Sequence, residues 1–353
     1  MNHYSRIIIA FSILVALLFS ACTKEPDPTT TDDPSSHYDL LVLNEGLWGT
    51  NDGSISAINT AEGTVAADLF SSANGRGLGD LAQDAARYGN KLYVVVFGSN
   101  TLEVCNPSTL SSIRQISFAG RSPRYIVFHE DKAYVSCYNK YIYQVDTASL
   151  TIVDSCRLSG MQPETMCILG TKLYVVNSWQ YDANGSPEYD NTLSVVDLVS
   201  FQEERKITVG LNPFKVMPVD NSHLLVGYAG NYGSQPSGVE IINLADDSRT
   251  DLNTPASGFD ICNGYLYTYS FSYTTGQAEY WKTDLSTLSK TQLPIGSGVK
   301  TAYGIKVDPA TGDIYLTDSQ QFRSNGDVRC YSASGTLKWI LEVGKGPSKV
   351  IIL

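Results

Sequence analysis

Short apolar runs rich in Val, Ile and Tyr recur along the chain, and turn-forming residues separate each run from the next. Two examples are KLYVVVFGSNTLEVCNPSTLSSIRQI at 91–116 and KAYVSCYNKYIYQVDTASLTIVDSCRL at 132–158. Many runs are apolar at successive positions rather than at alternate ones, which is typical of strands buried on both faces. The unit occurs seven times at a spacing of about 46 residues, close to the period of a four-stranded propeller blade.

Each repeat has a turn-forming side chain between its third and fourth strands. Asn, Asp and Ser side chains accept a hydrogen bond from the backbone two residues further on, and this bond stabilises a tight turn. Their position in the repeat therefore predicts a structural role rather than a catalytic one. The residues are Asn59, Asn106, Asp146, Asp197, Asn243, Asp284 and Ser332.

A further strand precedes the Tyr-Val run in several repeats, as in SPRYIVF at 122–128 and QPETMCIL at 162–169. The C-terminal residues, GPSKVIIL at 346–353, have the same pattern, whereas the first repeat, at 39–70, lacks such a strand. We therefore predict that the C-terminal strand completes the first blade, which leaves no open sheet edge at the seam. The predicted fold class is all-β, a single seven-bladed β-propeller over residues 37–353.

The N-terminal residues follow a different pattern. Arg6 precedes an apolar run and then small residues, the layout of a cleavable secretion signal. The run is short for a spanning helix, which needs about 20 apolar residues. FSAC at 19–22 resembles the lipobox of bacterial lipoproteins, in which the cysteine is acylated. We predict a lipoprotein signal peptide at 1–21, then a lipidated Cys22 and a flexible polar tether at 22–36, with an ordinary secretion signal as the alternative.

Composition narrows the classes of partner. The formal net charge of the 353 residues is -11, and Lys and Arg do not cluster densely enough to neutralise several phosphates, which argues against nucleic acid. The cysteines other than Cys22 form no CxxC pair and have no zinc-type spacing. We interpret them as buried thiols, with disulfides as the alternative outside the cytoplasm. They are Cys105, Cys137, Cys156, Cys167, Cys262 and Cys330.

YVVN at 174–177, followed by VVDL at 195–198 and ITVG at 207–210, resembles the YVTN-type propeller repeat. A propeller behind a lipobox and a polar tether is similar to surface lipoproteins of Bacteroidetes, a group that includes the cobalamin-capturing lipoproteins. The resemblance implies a corrinoid as a bound ligand rather than as a cofactor, and handover to a TonB-dependent transporter. It also implies an outer-membrane, cell-surface location in which the lipid anchor is the only contact with the membrane.

Long connections between the second and third strands are predicted to surround the mouth of the central channel. Their aromatic side chains alternate with Gly, Asn and Ser, so they can both stack on a ligand and accept hydrogen bonds. Packing of these rings on one another is the alternative. Cations near the mouth would suit a phosphate or carboxylate of the ligand. The predicted ligand-binding residues are Trp48, Arg124, Trp179, Tyr181, Tyr232, Phe271, Tyr273, Phe322 and Arg323, and the further cations are Arg76, Arg121 and Lys345.

The sequence predicts no catalytic residues, no metal site and no cofactor, and hence a protein that is not an enzyme. His129 and His223 fall in turns predicted on the opposite face, and the chain has no GxSxG or HExxH motif. The oxygen-rich segment 182–190 leaves a calcium site open. A glycosidase-type carboxylate pair remains an alternative, as does a surface module that binds glycan or protein. The candidate carboxylates are Glu45, Asp80, Glu164 and Asp318.

Overall fold

The described residues form seven four-stranded antiparallel sheets arranged as the blades of a propeller. The computed structural model describes residues 38–272, 274–295 and 298–353. The predicted all-β, seven-bladed fold is therefore confirmed. The predicted signal peptide, Cys22 and the tether lie outside the described residues, as does Tyr273. None of the helices in the described ranges is long and apolar enough to cross a membrane.

Blades are numbered from the N-terminus, and the strands of each blade are given from the channel outward. Blade 1 contains β28 (Pro347–Ile352), β1 (Leu40–Asn44), β2 (Ser54–Asn59) and β3 (Thr64–Ala66). Blade 2 contains β4 (Ala82–Tyr88), β5 (Lys91–Val96), β6 (Thr101–Cys105) and β7 (Ser112–Ser117). Blade 3 contains β8 (Pro123–His129), β9 (Lys132–Cys137), β10 (Tyr141–Asp146) and β11 (Thr151–Arg157). Blade 4 contains β12 (Pro163–Leu169), β13 (Lys172–Tyr181), β14 (Pro187–Asp197) and β15 (Gln202–Thr208).

The remaining blades repeat the same order. Blade 5 contains β16 (Pro213–Pro218), β17 (His223–Tyr228), β18 (Gly238–Asn243) and β19 (Arg249–Asp251). Blade 6 contains β20 (Gly258–Cys262), β21 (Tyr265–Ser272), β22 (Gln277–Asp284) and β23 (Lys290–Gln292). Blade 7 contains β24 (Ala302–Val307), β25 (Ile314–Asp318), β26 (Asp327–Tyr331) and β27 (Leu337–Glu342). The short helices are α1 (Leu69–Asn74), between blades 1 and 2, and a 3-10 turn in blade 7 (Gln320–Phe322).

Hydrophobic clusters fill the spaces between neighbouring blades and hold the ring together. Leu41 and Leu43 of β1 pack toward Val94 of blade 2, whereas Leu40 of the same strand packs toward Val328 of blade 7. Successive residues of a strand point to opposite faces of its sheet, and each sheet has a neighbour on both sides. The continuous apolar runs in the sequence therefore follow from burial on both faces.

Strand β28 closes the ring by pairing with β1, as predicted. Their antiparallel register places Leu40 opposite Ile352 and Val42 opposite Val350. The backbone groups on the inner edge of β1 are thereby hydrogen-bonded. An edge strand that would otherwise offer its backbone to another chain is covered.

The predicted turn formers have the expected structural role. Asp146 Oδ1 accepts hydrogen bonds from the backbone amides of Ala148 and Ser149 at 3.2 and 2.7 Å. Asn106, Asp197, Asn243 and Asp284 make the same bond to the amide two residues on. Two of the turns differ in length, because Asn59 bonds three residues on and Ser332 four.

The two ends of the ring have different connections because successive strands of a blade are antiparallel. The loop face carries the connections from second to third strand and from one blade to the next. The hairpin face carries the other turns. His129 ends β8 and His223 begins β17, so both lie on the hairpin face as predicted.

Two connections that were predicted as long loops are extended β-hairpins. Strands β13 and β14 pair as far as Tyr181 and Pro187, and β21 and β22 pair as far as Ser272 and Gln277. In the first hairpin, Asp182 Oδ1 accepts from the amides of Asn184 and Ser186 at 2.8 Å each. This carboxylate therefore stabilises the turn, and the described residues contain no group of three or more His, Cys, Asp or Glu side chains that could hold a metal.

The six cysteines of the propeller are free, buried thiols, in agreement with the favoured interpretation. Burial raises the pKa of Cys105 to about 12 and that of Cys156 to about 11. These thiols stay protonated at neutral pH, and the thiolate is the reactive form. They act as small apolar residues between blades.

Candidate functional site at the loop face

Side chains from five blades meet at the loop-face end of the channel. The inner strands begin at this face, so their second residues lie near the mouth. Glu45 follows the end of β1 at the same face. We call this group the mouth cluster. It consists of Glu45, Gln83, Arg124, Tyr138, Glu164 and Tyr303.

Arg124 is the centre of the mouth cluster. Its Nε and Nη2 atoms donate to the Glu164 carboxylate at 3.2 to 3.3 Å, and its Nη1 donates to Gln83. The guanidinium carbon lies 4.6 Å from the ring centroid of Tyr138 and 4.8 Å from that of Phe97. Such stacking on aromatic faces adds to the ion pair when the site is shielded from water. The predicted ligand-binding Arg124 is therefore engaged within the protein.

The two carboxylates of the mouth cluster have different surroundings. Glu164 accepts from Arg124 and from the hydroxyl of Tyr138. Glu45 accepts from the hydroxyl of Tyr303 at 2.7 Å, and burial raises the pKa of its carboxyl to about 7. Carboxyl groups whose environments differ in this way are one pattern of acid and base catalysis. Here both oxygens of Glu164 and Oε2 of Glu45 already have hydrogen-bond donors from the protein.

Three aromatic side chains on the loop face are open to solvent. Trp48 is 71% exposed, Tyr181 is 64% exposed and Tyr232 is 79% exposed. We call these three the exposed rings. Trp48 lies in the β1–β2 connection and Tyr181 near the tip of the β13–β14 hairpin, while Tyr232 lies in the β17–β18 connection.

Other aromatic side chains support the exposed rings. The ring of Trp48 lies 5.8 Å from that of Phe97, and the half-buried ring of Trp179 meets Tyr181 edge-on at 4.9 Å. Tilted and edge-on contacts of this kind are favourable pair geometries for aromatic rings. They hold one edge of a ring against the protein and leave other surface open.

The remaining predicted site residues are not all brought together. Phe271 lies in β21 and packs against the hydrophobic cluster between blades 6 and 7. The ring of Phe322 meets that of Tyr303 edge-on at 5.0 Å, which connects it to the mouth cluster. Arg323 is exposed beside it, and its guanidinium forms no ion pair within the described ranges.

The other cations predicted near the mouth are also engaged. Arg76 pairs with the buried Glu103 at 2.9 Å, and Lys345 pairs with Asp52 at 3.0 Å. The guanidinium carbon of Arg121 lies 5.0 Å from the ring centroid of Tyr143. The expected cationic patch is therefore divided into separate pairs. This result weakens the argument for an anionic group of the ligand at these three residues.

Two of the candidate carboxylates have structural partners. Asp318 accepts from the backbone amides of Lys300 and Thr301 and from Arg329. Asp80 accepts from the amide of Gly49 and fixes the loop that carries Trp48. The glycosidase-type alternative is thus reduced to Glu45 and Glu164.

The sequence reasoning missed Gln83, Tyr138 and Tyr303. Gln83 and Tyr303 are the second residues of their inner strands, as are Arg124 and Glu164. An alignment of the repeats at this position would have grouped the four residues at the mouth. Tyr138 follows β9 and could be assigned only once the blades were placed next to each other.

Three solved structures with similar folds are 13–14% identical to this chain in sequence. A quinonprotein alcohol dehydrogenase-like protein of Bacteroides thetaiotaomicron is 14% identical with a TM-score of 0.64, over 90% of this chain and 78% of that one. A Bacteroides fragilis protein described as a 6-phosphogluconolactonase is 13% identical with a TM-score of 0.64, over 93% and 100%. Hydrazine synthase of Kuenenia stuttgartiensis is 14% identical with a TM-score of 0.60, over 74% and 85%. At these identities the likeness concerns the fold alone.

A comparison with functionally curated proteins finds no match. One family model does match, that of DUF5074, which is described as a domain of unknown function. The match covers residues 38–246, more than half of the chain and most of blades 1 to 5. The chain belongs to the DUF5074 family.

Proposed function

We propose that this protein is a non-catalytic, lipid-anchored surface protein that binds cobalamin or a related corrinoid on its loop face. It then passes the ligand to a TonB-dependent outer-membrane transporter. The observation that carries the proposal is the set of exposed rings, Trp48, Tyr181 and Tyr232, on the same face as the mouth cluster. The corrinoid itself is supported by the resemblance of the repeats and N-terminus to cobalamin-capturing lipoproteins.

The exposed rings fit a broad, flat ligand. Each ring that stacks on a ligand contributes about 0.5–1.5 kcal/mol beyond the area it buries. The three rings lie on loops of blades 1, 4 and 5, so a ligand that contacts more than one of these loops must be broad. A corrinoid offers a wide macrocycle for stacking and peripheral amides for the tyrosine hydroxyls.

The proposed binding uses no metal coordination by histidine. The histidines of the described ranges, His129 and His223, lie on the hairpin face. We therefore expect the corrinoid to be held by stacking and hydrogen bonds. A corrinoid with a tightly bound upper ligand on cobalt should bind as well as one without it.

The state of the two mouth carboxylates supports a non-catalytic role. A general base or nucleophile needs a free lone pair directed at its substrate. Glu164 receives the guanidinium of Arg124 and the hydroxyl of Tyr138, and Glu45 receives the hydroxyl of Tyr303. These bonds give both carboxyl groups a structural role, because they join blade 4 to blade 3 and blade 1 to blade 7.

The β13–β14 hairpin favours one alternative, the binding of a glycan. Tyr181 projects near its tip, and Gln180 and Glu188 form a hydrogen-bonded polar pair next to it at 3.0 Å. An aromatic platform beside polar side chains also suits a sugar ring. A glycan-binding protein would show weak affinity for several sugars and none for corrinoids.

Calorimetric titration of the purified protein with cyanocobalamin, and with a corrinoid that lacks the lower base, tests the proposal. We expect saturable one-to-one binding with nanomolar affinity. Replacing both Trp179 and Tyr232 by Ala should weaken it on the order of 100-fold, since each 1.4 kcal/mol is tenfold. Val199→Ala, at an exposed apolar position on the hairpin face, is the control and should leave the affinity unchanged.

Two results would contradict the proposal. No heat at millimolar ligand would exclude a corrinoid and direct the search to glycans and protein partners. Equal affinity of the Trp179 and Tyr232 double variant would move the site away from these loops.

A further inference from the structure

A second polar layer lies on the wall of the channel, further along the inner strands than the mouth cluster. It contains three lysines and two aspartates from five different blades. Asp84, Lys215 and Lys349 each pair with the penultimate residue of the second strand of their blade. Asp260 and Lys306 pair deeper, near the start of their second strands, and form an ion pair with each other. We call this layer the lysine belt. It consists of Asp84, Lys215, Asp260, Lys306 and Lys349.

Two of the lysines have carboxylate partners. Lys349 Nζ lies 2.6 Å from Asp84 Oδ1, and Lys306 Nζ lies 3.1 Å from Asp260 Oδ2. These carboxylates also accept backbone amides of neighbouring inner strands at 3.0 Å each. Both aspartates are therefore committed to holding adjacent blades together.

Lys215 has no carboxylate partner within the described ranges. Its ammonium group donates to the backbone carbonyl of Phe259 and lies 5.0 Å from the centroid of that ring. Burial lowers the pKa of Lys215 to about 8. The carboxylates of Asp260 and Asp84 oppose this shift, and the ammonium groups of Lys349 and Lys306 reinforce it.

The belt has more hydrogen-bond donors and more positive charge than it can satisfy internally. Three ammonium groups carry three N–H donors each. The bonds above account for one donor of each lysine. Three positive charges also face two negative ones. The side chains of Lys306 and Lys349 are 38% and 42% exposed, so their remaining N–H groups are open to a ligand. An added anion would balance the excess positive charge of the layer.

We propose that the lysine belt binds a small oxyanion, such as phosphate or sulfate, inside the channel. The oxygen atoms of the anion would accept the remaining N–H groups of Lys215, Lys306 and Lys349. Such an ion would join inner strands of blades 5, 7 and 1 around a shared centre. The site is separate from the exposed rings and does not depend on the proposed corrinoid function.

The test uses the purified full chain, freed of phosphate and sulfate by dialysis against chloride at constant ionic strength. We expect titration with inorganic phosphate to give saturable one-to-one heat and a rise in melting temperature that saturates. Lys215→Met should weaken phosphate binding at least tenfold, whereas Lys215→Arg keeps the charge and should retain most of the affinity. Lys338→Met, at an exposed lysine paired with Asp313, is the matched control and should bind as the wild type does.

Sulfate and phosphate also stabilise proteins generally because they are excluded from protein surfaces. The melting temperature of Lys215→Met separates the two effects. An equal rise in this variant and the wild type would mean general stabilisation and overturn the proposal. No saturable heat in the wild type would overturn it as well.

A spectroscopic measurement on the wild type covers the case in which Lys215→Met does not fold. Lysine side-chain NMR should show that added phosphate raises the titration midpoint of Lys215 from about 8, because a bound anion favours the charged ammonium. An unchanged midpoint at saturating phosphate would contradict the site. Tyr232→Ala should bind phosphate normally, so failure of the corrinoid proposal and failure of this one remain distinguishable.

Discussion

The mouth cluster and the exposed rings lie on the same face, and both contain residues predicted to bind ligand. They differ in how many of their side-chain groups already have a partner within the protein. Arg124 donates to Glu164 and Gln83 and stacks on Tyr138. Tyr181 and Tyr232 leave most of their surface open. The comparison teaches that charged groups with partners in a neighbouring blade join the blades, whereas the surface that remains available to a ligand is that of the exposed rings.

The largest expected effect comes from breaking the mouth cluster at Arg124. Arg124→Met leaves the buried carboxylate of Glu164 without its cation, and removal of one partner of a buried pair costs about 3–5 kcal/mol. We expect a loss of that size in the free energy of unfolding, measured by urea titration at pH 7.5. Arg323→Met, at an exposed position, should change it by less than about 0.5 kcal/mol.

A loss below about 1 kcal/mol in Arg124→Met would contradict this interpretation. It would mean that water reaches the mouth and replaces the guanidinium. The cluster would then be open to ligand after all, and the contrast with the exposed rings would disappear.

The next effect concerns the protonation of Glu45. Its pKa is raised from 4.5 to about 7, so between these values the folded state holds a proton that the unfolded state has released. Stability from this group is therefore present at low pH and lost as the pH rises toward and through 7. The full shift corresponds to up to about 3 kcal/mol.

Glu45→Gln keeps an acceptor for Tyr303 but cannot ionise. Relative to wild type, we expect the variant to be more stable at pH 8 and nearly equal at pH 5, as measured by urea unfolding at both pH values. Glu62→Gln, in the exposed β2–β3 turn, serves as the control. A constant difference between wild type and Glu45→Gln at the two pH values would show that Glu45 titrates normally.

The smallest effect on stability is expected at the exposed rings. Tyr181→Ala and Tyr232→Ala remove side chains that are mostly in water, so the free energy of unfolding should change by less than about 0.5 kcal/mol. The affinity of both variants for cyanocobalamin should nevertheless fall. A stability loss above about 1.5 kcal/mol in either variant would instead identify these rings as packing residues of the loops.

The repeat made the fold predictable. Every blade needs two apolar faces and a tight turn before its outer strand, so Val-rich runs and turn formers such as Asp146 and Asp284 recur at fixed positions. The closing strand was predictable for the same reason, because one repeat lacked an inner strand. These features follow from local patterns within a blade.

The chemistry of the site was less predictable because it depends on contacts between blades. Glu45 and Tyr303 are 258 residues apart in sequence and meet only because the ring closes. Arg124 was recognised as a cation near the mouth, but its partner Glu164 belongs to the next repeat. The β13–β14 hairpin was not predicted, because its polar residues indicated a loop. Its strands nevertheless pair, since backbone hydrogen bonds do not require apolar side chains.

Strand β28 also determines when, during synthesis, the seven-bladed ring can close. During synthesis β1 is made before the other described strands, and its inner partner β28 is made after them. Joining the two closes a loop of about 300 residues, for which the entropy cost is on the order of 5 kcal/mol. A nascent chain that lacks β28 has a ring with an open seam. We infer that resistance to unfolding arises in one final step after translation of β28 rather than growing steadily with each blade.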